Sequence, residues 1–325
     1  MRMRPYHKHD GTQVHVQMGA WRKQLNDIRD ERFSVKLHPG LLATAPSIVD
    51  LRSTCSPIDD QGSIGSCTAN MLAGMVEANE VRGNVGLLLA ASVPTVTVSK
   101  VAAKADGTIT FTTTVKPVAA PTPTPVPPSP VPPTPTPAPP SHVFTDVSRL
   151  FQYYATRKIE GTTSEDSGAT IRDTLKAANT YGILDERSWP YDVSKFTVNP
   201  PTSAWNTAAT HKVTSYHSIA DGDITTMKTM LAAGYLVGFG FNVYSYFMTQ
   251  DMATKAWLHV PTSSETFEGG HAVGLCGYYD DRNAFLVRNS WGTDWGIAGY
   301  FWMDYAYVSN ASLCSDFWVV QSSPV

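Results

Sequence analysis

Three short stretches carry residues suited to covalent chemistry. In chain order they are Gln61-Gly62-Ser63-Ile64-Gly65-Ser66-Cys67, Gly269-Gly270-His271-Ala272-Val273 and Asn289-Ser290-Trp291-Gly292. They supply a carboxamide, a thiol, an imidazole and a second carboxamide. A thiol needs a base to become a nucleophile, the base needs a group to orient it, and the oxyanion formed on attack needs a donor. The four side chains match those four needs. Singly, each has a plainer reading. Most free cysteines are small buried residues, a strand histidine can be satisfied by its neighbours, and an asparagine suits a turn. The ordered conjunction is what points to chemistry.

The surrounding sequence says which elements hold these groups. Met71, Leu72, Met75 and Val76 recur at helical spacing after Cys67, with Ala69, Ala73 and Ala78 between them. Cys67 is therefore expected at a helix N-terminus, with Ser66 as N-cap, where orphan N–H groups and the dipole favour a thiolate. Further helices are expected over 147–158, 170–180 and 223–233, and a short one over 21–33. Strands with period-2 alternation are expected over 212–217, 236–243, 271–278, 284–289 and 300–303. Helices dominate the first half and antiparallel sheet the second. That pattern is α+β with two lobes, and a groove between lobes is a common place for a site.

Composition bounds the alternatives. The chain has 325 residues, 42% hydrophobic and 16% charged, with a formal net charge of -3. It is long enough for a well-buried core, and it lacks the basic excess of a nucleic-acid binder. The basic start MRMRPYHKHD is followed by no apolar run, so no secretory signal is read there. No stretch is long and apolar enough to span a bilayer. The expectation is a soluble protein without a membrane partner; the compartment is left open, the cytoplasm being one that fits. With Cys67 as a free nucleophile, Cys55, Cys276 and Cys314 allow at most one internal bridge. No C-x-x-C or His/Cys cluster suggests zinc, and neither a metal nor a cofactor is expected. Residues 82–141 break the pattern. One strand is expected over 108–112, and 121–140 holds twelve prolines in twenty residues. Such a run favours polyproline II. It reads either as a tolerated surface insertion or as a docking site for a partner with an aromatic-lined groove.

The three stretches resemble the papain-like (C1) cysteine proteases. Val49-Asp50-Leu51-Arg52, Trp295-Gly296 and Gly299-Tyr300 extend the likeness, which covers roughly 46–81 and 142–320. From Cys67 to His271 is 204 positions, against about 130–150 expected between these groups. Removing the 60 residues of 82–141 leaves 144. The resemblance implies a helical left lobe, an antiparallel β-barrel-like right lobe and a cleft between them. It implies Cys67 as nucleophile, His271 as general acid/base and Asn289 as its holder, with Trp291 covering the His–Asn bond. The Gln61 side chain and the Cys67 backbone N–H would meet the oxyanion. Gly168, Gly240, Gly270 and Ala272 fall at substrate-binding positions, and Gly238 with Gly240 would leave room for a bulky apolar side chain. Ile64 and Thr68 stand where the family often has Cys and an aromatic residue, which fits a microbial or intracellular branch. Residues 1–45 are too short for the long helical propeptide. Within them, residues 19–30 resemble a leader found on some microbial members, either inhibitory or a structural strap. The implied organisation is a leader (1–45), a peptidase domain (46–81 and 142–325) and a low-complexity insertion (82–141). The implied function is a monomeric cysteine endopeptidase acting on proteins or peptides. A catalytically silent peptide-binding module, and another thiol acyl-transferase or amidase, are the competing readings.

Overall fold

A computed structural model describes residues 2–25, 27, 30–33, 45–89, 97–103, 109–114 and 146–322. In chain order the strands are β1 (Arg2–His7), β2 (Gln13–Met18), β3 (Ile48–Asp50), β4 (Thr97–Ala103), β5 (Ile109–Thr114), β6 (Val213–Ile219), β7 (Val237–Tyr244), β8 (Trp257–Leu258), β9 (Phe267–Tyr279), β10 (Ala284–Arg288), β11 (Tyr300–Asp304) and β12 (Cys314–Ser322). The helices are α1 (Cys67–Leu89), α2 (Arg149–Glu160), α3 (Ile171–Thr180), α4 (Thr202–Ala208), α5 (Ile224–Ala232), α6 (Gln250–Lys255) and α7 (Tyr305–Val308).

From residue 67 to 79, every position of α1 is buried. A helix covered on all sides belongs in the middle of a fold, and its polar residues find partners there. Asn70 Nδ2 donates to Ser66 O at 3.0 Å, and Asn79 Nδ2 donates to Val320 O at 2.9 Å. α2 is capped by the Ser148 hydroxyl and ends at Gly161, in the left-handed region at φ 73°. α3 is capped by Thr170. Gln152 of α2 donates to Thr174 O of α3 at 3.2 Å. These helices form the helical part.

The other part is an eight-stranded sheet in the order β6-β12-β7-β9-β10-β11-β8, with β3 paired to β9 off that path. Its pairings are antiparallel except β11 with β8. The barrel-like lobe expected from the resemblance is thus an open sheet, since its path ends at β6 and β8 rather than closing. One face packs on Phe239, Phe241, Phe247, Phe285, Phe301 and Trp295, all fully buried.

The expected helix over 21–33 does not form among its described residues. This stretch spends its backbone groups on neighbouring elements instead. Arg22 N donates to Ala169 O at 3.2 Å and receives no helical turn. Phe33 N donates to Ser218 O at 2.8 Å, and Ser218 N donates to Glu31 O. Tertiary pairing overrides a weak helical preference here. The preceding hairpin β1–β2 buries Tyr6, Val16 and Met18 in the sheet's core cluster.

The chain divides into two compact units, one of residues 1–82 with 137–325 and one of residues 83–136. In the second, β4 and β5 pair antiparallel from Thr97↔Thr114 to Ala103↔Ile109, and β5 takes the place of the strand expected over 108–112. The proline-rich stretch 121–140 lies outside the described residues. No helix among them is long and apolar enough to cross a membrane.

Candidate active site

Cys67 is the first residue of α1 and is fully buried. The Ser66 carbonyl accepts from Ala69 N and Asn70 N, each at 3.0 Å, and so starts the helix. The Ser66 hydroxyl does not cap it; Oγ pairs with Tyr191 OH and accepts from Asn70 Nδ2 at 3.0 Å. The backbone groups of Ala272, Thr68 and Cys67 itself favour the thiolate. Burial outweighs them and pushes the thiol up to about 12. The helix N-terminus alone therefore does not ionise this sulfur.

His271 lies on β9, opposite Phe241 of β7, and is 2% exposed. Its Nε2 meets Asn289 Oδ1 at 2.8 Å. A carboxamide oxygen only accepts, so Nε2 carries the proton and Nδ1 is left as the basic nitrogen. Burial lowers the imidazole to about 4, while the Asn289 bond pulls it back up. Trp291 stacks on the ring at 5.2 Å between centroids, with 29° between planes. Tyr6 in turn stacks on Trp291 at 4.4 Å. The His–Asn bond is thereby roofed by aromatic surface.

Gln61 is fully buried and fixed from both ends of its amide. Ser290 Oγ donates to Oε1 at 2.7 Å, and Nε2 donates to Ile64 O at 3.1 Å. A primary amide has two N–H groups, so one remains for a ligand. The loop from Gln61 to Cys67 is held further by residues the sequence did not single out. Asp166 Oδ1 accepts from Gly65 N at 2.9 Å and from Tyr153 OH. Tyr191 OH donates to Gln61 O at 2.8 Å.

The expected substrate-binding positions Gly168, Gly240, Gly270 and Ala272 line one surface, and that surface is covered. Residues 19–22 run along it as a strap. Ala169 N donates to Ala20 O at 2.8 Å, Arg22 N to Ala169 O at 3.2 Å and Gly19 N to Gly270 O at 3.2 Å. A Cβ on Gly168 would lie 2.1 Å from Ala20 O, and one on Gly240 would lie 1.9 Å from Trp21 Cε2. Glycine is required at both for this close approach. Gly238 faces Met71 and Met75 of α1 instead, so it opens no pocket. Ala20 and Trp21 share a buried cluster with Cys67 and Ala272. Sequence reasoning missed Trp21 and its partner Asp316, which accepts from the indole N–H at 3.1 Å. Among the described residues no group of three or more His, Cys, Asp or Glu is arranged to hold a metal ion.

Known proteins resemble this chain in sequence and fold. A sequence profile of the papain family cysteine proteases matches residues 160–317. An uncharacterized peptidase C1-like protein of Acanthamoeba polyphaga mimivirus is 42% identical over 181 residues, which are 54% of this chain and 58% of that protein. This chain thus aligns with little more than half of that relative's length. Among solved structures, the cysteine protease xylellain from Xylella fastidiosa is 31% identical, with a TM-score of 0.69 over 94% of this chain and 97% of that one. Digestive procathepsin L2 of Tenebrio molitor, 17% identical with a TM-score of 0.62 over 94% of this chain and 78% of that one, shares the fold. A buried thiol at a helix start, an imidazole held by an asparagine, and a relative alike in sequence over its whole length lead to one assignment: this chain belongs to the papain family of cysteine proteases.

Proposed function

We propose that this chain is a cysteine endopeptidase held latent by its own N-terminal strap. The observation that carries this reading is the His271–Asn289 bond beneath Trp291, with Cys67 sharing a buried cluster with Ala272, the very next residue of β9. In the occluded cleft burial favours neutral thiol and neutral imidazole, so the proton rests on sulfur. Displacing the strap rehydrates both groups, and the proton can then pass from Sγ to His271. The thiolate attacks the scissile carbonyl, and the oxyanion meets the Gln61 amide and the Cys67 N–H. His271 protonates the leaving amine as the C–N bond breaks. Water, deprotonated by His271, then cleaves the thioester and restores the thiol. Asn289 keeps the imidazole oriented through both steps.

In this reading residues 46–81 and 142–325 form the peptidase domain, and 82–141 is an insertion that opens with the last residues of the catalytic helix. Residues 1–45 act as a tethered inhibitor. The test is peptide hydrolysis by the full chain and its variants. Trp21→Ala is expected to raise hydrolysis at least tenfold by freeing the cleft, an estimate from the loss of a buried aromatic anchor (~3 kcal/mol or more). Cys67→Ala in that background should abolish it. A tenth of the activity surviving without the sulfur would remove Cys67 as nucleophile.

A further inference from the structure

The segment that leads to Asp166 is firmly held. Arg157 of α2 is fully buried, and its Nη1 donates to Thr163 O at 3.1 Å and to Glu165 O at 2.8 Å. The same guanidinium lies 4.0 Å over the ring of Tyr153, one turn earlier in α2. One buried cation thus fixes both the tyrosine and the backbone that carries the aspartate. Tyr153 is itself fully buried. Burial, with Asp166 beside it, keeps its hydroxyl protonated.

Two hydrogen-bonded arms leave the Asp166 carboxylate. One is direct: Oδ1 and Oδ2 accept from Gly65 N at 2.9 and 3.2 Å. Gly65 lies two residues before Cys67. The other runs through Tyr153, whose hydroxyl donates to Oδ1 and accepts from Gly168 N at 3.1 Å. Gly168 and Ala169 form the rim against which the strap's backbone lies, with Ala169 N donating to Ala20 O at 2.8 Å. The arms leave little slack between them. A Cβ on Gly65 would lie 3.1 Å from Asp166 Oδ1 and 3.3 Å from Gly168 Cα. All four cysteines are free, so no disulfide ties this loop to the rim, and hydrogen bonds do so instead. A carboxylate acceptor makes the stronger kind.

We infer that Asp166 is a positioning residue that sets two parts of the site at once. Through Gly65 it fixes the loop whose end presents the Cys67 N–H to the oxyanion. Through Tyr153 it fixes the rim that receives a peptide backbone. The inference rests on the peptidase reading, in which the strap's backbone stands where a substrate's would. Asp166 acts through these two neighbours and not on the reacting atoms.

The test uses the full chain with Trp21→Ala, which opens the cleft, as parent. Amide hydrogen exchange needs no catalysis. Asp166→Ala should speed exchange about tenfold or more at both Gly65 and Gly168, the effect of losing a hydrogen bond to a carboxylate. Tyr153→Phe should speed it about fivefold at Gly168 alone. Asp166→Asn keeps an oxygen for both donors and should stay within about threefold of the parent at both. Kinetics give the second readout. Asp166→Ala should lower kcat for peptide hydrolysis about 10²-fold, as a displaced group does, and Asp166→Asn should restore most of it. Tyr153→Phe should act mainly on KM. Iodoacetamide separates positioning from general loosening. Its attack by Cys67 forms an S–C bond and expels iodide without an oxyanion, so Asp166→Ala should be alkylated at Cys67 within about threefold of the parent rate. Equal losses in hydrolysis and alkylation, an Asn variant as damaged as the Ala variant, or Gly168 exchange unmoved by Tyr153→Phe would overturn the inference. Absence of hydrolysis from every variant would instead sink the peptidase reading, with exchange at Gly65 and Gly168 still judging Asp166.

Discussion

His271 donates through Nε2 to Asn289, and its burial has a consequence for stability. The imidazole is lowered from 6.5 to about 4 in the fold. As pH falls, the unfolded chain therefore binds this proton first. The stabilisation from keeping His271 neutral is complete above 6.5 and drains away as pH falls toward 4. Wild type should lose on the order of 3 kcal/mol relative to His271→Gln across that window, read by urea unfolding at pH 7.5, 5.5 and 4. A gap independent of pH would mean the ring is already hydrated in the closed chain. Gln61 makes a kinetic prediction at the same scale. With Oε1 fixed by Ser290 and one N–H spent on Ile64 O, Gln61→Ala should lower kcat about 10²-fold in the Trp21→Ala background, with KM little changed. An effect confined to KM would make Gln61 a binding residue only. The sequence pointed to Gln61, His271 and Asn289 because their motifs are local and their order is specific. It could not point to Asp166, Tyr191 and Asp316, because each acts across long sequence separations. Asp316 reaches Trp21 only through an irregular register between β12 and β7.

The strap and hairpin show where element-level reading failed. The alternation of Val14, Val16 and Met18 with Gln13, His15 and Gln17 was a usable strand signal, and in β2 those residues face inward in turn. The apolar run in β12 was equally visible. The stretch after Trp21 carries no such signal, because its conformation is set by the cleft it lies against. Its anchors are spread along its length: Arg22 pairs with Glu160, and Asp30 Oδ1 accepts from Arg172 Nε at 2.8 Å. The narrowest point against the strap's backbone is Gly168, at φ 62° with no room for a Cβ beneath Ala20. Gly168→Ala should therefore prevent docking there. Alkylation of Cys67 by iodoacetamide is expected to accelerate at least tenfold, while the domain itself loses about 1–2 kcal/mol from the left-handed φ. Peptide hydrolysis should stay slow, because the added methyl also blocks a substrate backbone. Labelling at the wild-type rate would show that the strap bends away from Ala20 at no cost, and would take away its latching role.

At the scale of the whole molecule, the helical part and the sheet are joined by buried charge as well as by apolar contact. Arg288, the last residue of β10, is 6% exposed and reaches toward α1. Its guanidinium donates to Ser56 O and Pro57 O at 2.7 Å and to Ser56 Oγ at 2.9 Å. Ser56 Oγ donates onward to Glu77 of α1, whose other oxygen accepts from Val147 N at 2.9 Å. Gly74 leaves room for the arginine, since a Cβ there would lie 2.7 Å from Nε. Burial raises Glu77 from 4.5 to about 7, with Asp59 adding to the rise and Arg288 opposing it. The folded value exceeds the unfolded one, so the buried carboxylate disfavours the fold increasingly as pH rises through 7. Without the arginine that penalty grows. Arg288→Met should cost about 3–5 kcal/mol at pH 8, the usual result of stranding a buried charge. At pH 5, where Glu77 is protonated, the cost should be clearly smaller. Adding Glu77→Gln should recover much of the loss at pH 8 and little at pH 5, because only the ionised carboxylate is stranded. Denaturant unfolding of the three proteins at both values makes the comparison. A cost equal at pH 5 and pH 8 would show that Arg288 joins the two parts through its hydrogen bonds to Ser56 and Pro57 alone, with its charge immaterial.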